Sequence, residues 1–203
     1  QTATTLNCED GRTCVYMDDC NGELNVGCPL AYSYKLEGQT LIMELAGYQP
    51  SGKGRYLAIG FNEEQKMSNA RVTECSALGD EQFPTVKLSW NKDTGTVNLR
   101  IDGEPDFRDQ IISEAISQYA DGMIYCSWKQ NVGPFDNDKV FQLIPGVKYH
   151  HLVSYGNTKT DGLTKHDQAQ YTVFDAFAAK GLDCENGRTC VYMESCKGVM
   201  KQL

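Results

Sequence analysis

Tyr56-Leu-Ala-Ile-Gly-Phe-Asn-Glu-Glu-Gln-Lys-Met67-Ser-Asn-Ala-Arg-Val-Thr-Glu-Cys75 reads as a strand, a polar turn and a second strand. The run Tyr56 to Phe61 carries the aromatic and β-branched residues that suit a pleated surface, and Asn62 to Lys66 is polar enough to be a solvated turn. Met67 is out of place in such a turn. A loop methionine commonly fills an irregular gap at a half-buried surface, so its presence alone assigns nothing.

Similar runs lie on either side. Ala31 to Leu36, Thr40 to Ala46, Thr85 to Trp90, Thr96 to Ile101, Gly122 to Trp128, Val140 to Ile144, Tyr149 to Tyr155 and Tyr171 to Phe174 are β-rich or alternating. Gly38, Gly52 to Gly54, Asp93 to Gly95 and Asp102-Gly103 punctuate them. Many short strands with glycine-containing turns predict an all-β, antiparallel β-sandwich. Gln110 to Tyr119, with Ile112 and Ile116 four apart, fits a helix, an edge strand or a loop equally well. Phe174 to Lys180 suits a short linker helix.

Composition sets the compartment. The 203 residues carry a formal charge of −8, with Lys and Arg dispersed among the acids, so nucleic acid and anionic membranes are poor partners. No stretch approaches the roughly 20 apolar residues of a membrane span. Nine cysteines at disulfide-like spacings predict an oxidising compartment and a secreted, extracellular protein. The start at Gln1 fits a signal peptide already removed. None of the cysteines forms a C-x-x-C pair and only three histidines are present, which argues against a structural zinc site and against covalent haem.

The chain repeats its own beginning. Leu6 to Gly22 reads LNCEDGRTCVYMDDCNG and Leu182 to Gly198 reads LDCENGRTCVYMESCKG, with Cys8, Cys14 and Cys20 in register with Cys184, Cys190 and Cys196. Between Cys8 and Cys184 the offset is 176 residues, which would place the counterpart of Cys28 at position 204, one past Leu203. Residues 1–30 therefore read as a cysteine-rich lead-in, 31–178 as the sandwich and 179–203 as the start of a second copy of the lead-in. Either a tandem array or a terminal cap gives this pattern, and the expected partners are other copies of the same domain. Docking of the second copy on a neighbouring molecule would build a filament.

The strand ending in Ala58-Ile-Gly-Phe61, the polar turn with Met67, the strand to Cys75, Gly122 to Cys126, and Tyr149 to His166 with its closing Gly156-Asn-Thr-Lys-Thr-Asp-Gly-Leu-Thr-Lys-His166 together resemble the DOMON family. The resemblance runs from about Ala31 to Phe174, and the lead-in is similar to that of the secreted branch related to ferric-chelate reductases. Haem-binding members and the cytochrome domain of cellobiose dehydrogenase use a methionine at the place of Met67 and a histidine at the place of His166. The resemblance thus implies one non-covalent haem b with Met67 and His166 as axial ligands of the iron. His150 and His151 are adjacent on a strand, so one faces inward, and that one is the substitute ligand. Phe61, Trp90, Met123, Tyr125 and Trp128 are candidate walls, and Arg71 or Lys165 candidate partners for propionates.

Imidazole and thioether together leave the iron no open position, so the implied activity is electron transfer, with catalysis left to a partner. No hydrolase, metalloprotease, phosphate-loop or dinucleotide motif suggests an enzyme. A haem-free ligand- or sugar-binding or adhesion module, or a structural extracellular repeat, is the alternative. Cys75 and Cys126 sit in the body of the sandwich and are expected to bridge two strands. Cys8, Cys14, Cys20 and Cys28 are expected to pair among themselves in one of three ways.

Overall fold

Two antiparallel sheets pack face to face in the computed structural model, which describes residues 5–20, 22–50, 54–79, 81–94, 97–101, 105–174, 182–184 and 188–190. The first sheet holds β1 (Thr13–Tyr16), β2 (Ala31–Glu37), β3 (Thr40–Tyr48), β8 (Ile112–Ala120) and β9 (Met123–Asn131) in the order β1-β2-β3-β9-β8. The second holds β4 (Arg55–Asn62), β5 (Arg71–Ser76), β6 (Thr85–Asn91), β7 (Asn98–Arg100), β10 (Tyr149–Lys159) and β11 (Gly162–Phe174) in the order β11-β10-β4-β5-β6-β7.

Side-chain alternation explains the packing. Leu57, Ile59 and Phe61 of β4, Tyr149, His151 and Val153 of β10, and Ile124, Cys126 and Trp128 of β9 fill the space between the sheets. Thr73 Oγ1 donates to Gln130 Oε1 at 2.9 Å across it, while the buried Gln130 Nε2 has no hydrogen-bond partner. A disulfide from Cys75 on β5 to Cys126 on β9 joins the two sheets.

β4 is buried along both faces. Its outward residues Tyr56 and Ala58 join Ala70, Val72 and Leu152 in a second, smaller apolar cluster on the far side of the six-stranded sheet. That sheet curls until β11 and β7, at opposite ends of its strand order, approach one another. A concave outer face results.

The lead-in is tied to the sandwich rather than trailing from it. Disulfides join Cys8 to Cys14 and Cys20 to Cys28, and β1 extends the first sheet beyond β2. At Gly47 of β3 a Cβ would lie 2.1 Å from the Pro29 carbonyl oxygen, so only glycine lets the lead-in cross here.

One segment that the sequence left open is resolved, and one differs from the expectation. Gln110 to Tyr119 divides: α1 (Pro105–Ile111) ends at Ile111, and β8 follows as an edge strand with a register shift between Ser113 and Ile116. Glu114 sits there at φ 50°, and this bulge scrambles the alternation that marks a strand. Val140 to Ile144 is irregular; Val140 and Phe141 are buried as a plug, with Phe141 stacked on Phe61 at 4.0 Å between ring centroids. Burial without strand pairing leaves the same apolar signature as a strand. The expected helix beyond Phe174 lies outside the described residues.

Candidate functional site

The concave outer face of the six-stranded sheet holds a cavity of about 460 Å³, and Met67 and His166 both line it. Its floor is Tyr56, Ala58 and Gly60 of β4 with Val72 and Leu152 alongside. The volume falls in the range of small-molecule and cofactor sites.

Met67 lies in the β4–β5 connection, half-buried against the outer apolar cluster. The connection is clamped on both sides of it. Buried Asn62 donates from Nδ2 to the carbonyl oxygens of Lys66 at 2.8 Å and Ser68 at 2.7 Å, the residues flanking Met67. Asn69 N donates to Asn91 O at 3.0 Å and Asn91 N to Ala70 O at 2.9 Å, which ties the connection to β6. Asn69 holds φ 60°, a conformation asparagine tolerates better than most residues. A polar run that reads as a loose turn is therefore a fixed loop.

His166 sits on the returning strand β11 rather than in the hairpin turn, opposite Gly156 of β10. The register shifts on each side of Gly156, and a Cβ there would lie 3.0 Å from His166 Cα and 3.1 Å from Tyr56 Cε1. Glycine thus lets the bulged strand draw close to the floor. Arg55 holds the bulge by donating to Asn157 Oδ1 at 2.8 Å and pairing with Asp167 Oδ2 at 2.8 Å, and Thr164 Oγ1 donates to Asn157 O at 2.7 Å. The half-buried His166 has its Nδ1 shielded from solvent without a hydrogen-bond partner. An imidazole nitrogen in that position is costly unless something is there to bond it.

Tyr56 lies beneath His166. Burial pushes its hydroxyl pKa up to about 12, against the opposing hydrogen bond with Ser154, and the negative charges of Glu74 and Asp167 add to the rise. It remains a neutral donor at any ordinary pH.

The opposite wall is polar. Asn98 Nδ2 donates to Ser89 Oγ at 3.0 Å and Asn91 Oδ1 at 3.1 Å, while its buried Oδ1 has no partner. Behind this wall the fully buried Glu74 accepts from Ser76 and Ser89 at 2.9 Å each and pairs with Arg100.

The other candidates fall elsewhere. His151 faces inward, but inward is the core between the sheets: its Nδ1 is 2.8 Å from Tyr32 Oη, and Tyr34 and Phe61 pack edge-on against its ring. Burial lowers its pKa to about 3, so it is neutral. His150 points outward and lines no part of the cavity. Phe61 and Trp128 belong to the core, and Trp90 lies under Lys139, 5.2 Å from its ring centroid. Met123 and Tyr125 on β9 also lie away from the cavity. Arg71 donates to Asp138 O at 2.9 Å in a separate polar hollow, whereas Lys165 stands at the cavity rim. Asn62, Gly156 and Arg55 are the positioning residues that sequence reading missed. Only Gly156 left a trace, as a glycine inside a strand.

A β-sandwich with a cavity on the outer face of its larger sheet is the class these features define. The DOMON domain profile matches residues 26–156, and the chain belongs to that family. Among solved structures, the cytochrome b domain of pyranose dehydrogenase from Coprinopsis cinerea is similar in fold, with a TM-score of 0.51, 14% identity and 82% of each chain covered. No curated protein matches.

Proposed function

We propose that this domain binds one haem b in the outer-face cavity and transfers electrons, with Met67 and His166 as the axial ligands. The observation that carries the reading is that a thioether and an imidazole with an unpartnered buried nitrogen line the same cavity, each on a clamped segment. Support also comes from the apolar floor and from the likeness of fold to a cytochrome b domain.

Haem would bring reversible one-electron chemistry. A methionine–histidine pair raises its potential by favouring the ferrous form and leaves no coordination site for substrate. The chain's own part is to fix both ligands, so that little moves when the charge on the iron changes. Tyr56 supplies a neutral part of the floor, and Lys165 at the rim is placed to meet a propionate. Three disulfides fit an extracellular setting for this activity, and no described helix is long and apolar enough to cross a membrane.

Titration of the purified protein with hemin tests the proposal. One equivalent should give a six-coordinate low-spin spectrum with a Soret band that sharpens and shifts on reduction. A folded protein that takes up no hemin would leave a haem-free binding module as the reading.

A further inference from the structure

The repeated block gains meaning from what its first copy does. Within Leu6 to Gly22, β1 pairs with β2 in the register Thr13↔Tyr34, Cys14↔Ser33, Val15↔Tyr32 and Tyr16↔Ala31. Arg12 donates to Ser33 Oγ from Nε at 3.1 Å and Nη2 at 2.8 Å, and faces Glu44 at 3.6 Å. Leu6, Met17 and Cys20 are buried in the main core. Asp10 and Gly11 turn the chain at φ 55° and 75°, where Asp, Asn and Gly are the tolerated residues.

The second copy keeps every one of these docking residues. Leu182, Arg188, Thr189, Cys190, Val191, Tyr192, Met193 and Cys196 match Leu6, Arg12, Thr13, Cys14, Val15, Tyr16, Met17 and Cys20. Exchanges fall at Asn7/Asp183, Asp10/Asn186, Asp18/Glu194, Asp19/Ser195 and Asn21/Lys197. Asn7, Asp10 and Asp19 are exposed, and Asn186-Gly187 meets the same turn requirement as Asp10-Gly11. The buried and paired residues of the lead-in are thus all kept, and the described side chains that change are exposed. Yet the β2 edge of this sandwich is already taken by β1. In this chain Arg188–Cys190 is paired with Leu182–Cys184, and a seat like that of Thr13–Tyr16 needs a second β2.

We infer that Leu182 to Gly198 is the lead-in of another copy of this sandwich: it seats as an edge strand on that copy's β2, with Arg188 on its Ser33 and Glu44 and Cys196 bonded to its Cys28. The bond forms when the two thiols give up two protons and two electrons to a disulfide-bearing oxidant, the disulfide being reduced to two thiols. The joint is independent of the cavity's occupant. It makes each sandwich share a covalent chain with the next, at a period of 176 residues read from Cys8 to Cys184.

The test extends the full 203-residue chain with a second copy of residues 28–178 and refolds it with oxidised and reduced glutathione. Non-reducing peptide mapping should join Cys184 to Cys190 and Cys196 to the added Cys28. Val191→Pro should lower the melting temperature of one sandwich by about 5 °C or more, and Val15→Pro that of the other. In the unextended chain, oligomers that Val191→Pro abolishes would show the same seat taken on a separate molecule. Cys196 left free or bridged elsewhere, or a Val191→Pro chain as stable as its parent while Val15→Pro is not, overturns the inference. So does an added 28–178 that stays unfolded when an added 6–178, carrying its own lead-in, folds.

Discussion

Met67 and Asn62 show what a single residue reveals and conceals. The resemblance marked Met67 as a ligand, but nothing in the spacing announced that Asn62 bridges the carbonyls on either side of it. A side-chain amide bonding to backbone a few residues away leaves no periodic signal, because its partners are atoms every residue has. Met67→Ala or His166→Ala should each abolish the six-coordinate spectrum while far-ultraviolet circular dichroism stays unchanged, since neither belongs to the core between the sheets. A variant that kept the parental spectrum would remove that residue from the ligand pair. Asn62→Ala deletes the two part-buried hydrogen bonds of its Nδ2 and should cost about 1–3 kcal/mol in chemical denaturation. It should also loosen hemin binding with Met67 still present; unchanged hemin affinity would show that the clamp does not position Met67. His151 gives a pH test. Its folded pKa near 3 lies below the ordinary 6.5, so its contribution to stability is complete above pH 6.5 and falls by roughly 1.4 kcal/mol per unit as pH drops toward 3. Between pH 6.5 and 4.5 the parent should lose stability faster than His151→Gln, and parallel curves would defeat this.

Elements were legible where alternation was regular. β2, β3, β4, β6 and β10 stand where their patterns put them: β3 and β4 bury a whole face, and β2, β6 and β10 bury successive core-facing positions. β8 stayed open between helix, edge strand and loop because it is an exposed edge with a bulge, whereas the plug of Val140 and Phe141 reads as a strand because burial without pairing has the same composition. Two predictions belong here. Gly47→Ala forces a methyl onto Pro29 O and should lift the lead-in from β3, read as faster hydrogen exchange at Tyr48, whose amide donates to Cys28 O at 2.8 Å. Unaltered exchange would mean that the crossing relaxes without cost. The sheet-to-sheet disulfide closes a loop with a sequence separation of 51 residues, so replacing Cys75 and Cys126 together by Ala should cost about 3–5 kcal/mol. Recovery of either as a free thiol in the parent protein would defeat the pairing itself.

At the scale of the whole molecule, the sandwich followed from strand count and turn chemistry, whereas the curl that brings β11 toward β7 did not. Curvature accumulates from twist and from bulges such as that at Gly156, each set by pairing register between strands far apart in sequence. The cavity is a product of that curl, so its two ligand candidates could be named by family pattern while its walls could not. Having the cavity on the outer wall also separates two histories. The residues between the sheets answer to folding, and those of the outer face answer to whatever occupies it. A lineage could replace Met67 or refill the hollow with larger side chains and inherit an intact scaffold, so descendants with different guests, or none, would share one architecture while agreeing at few positions.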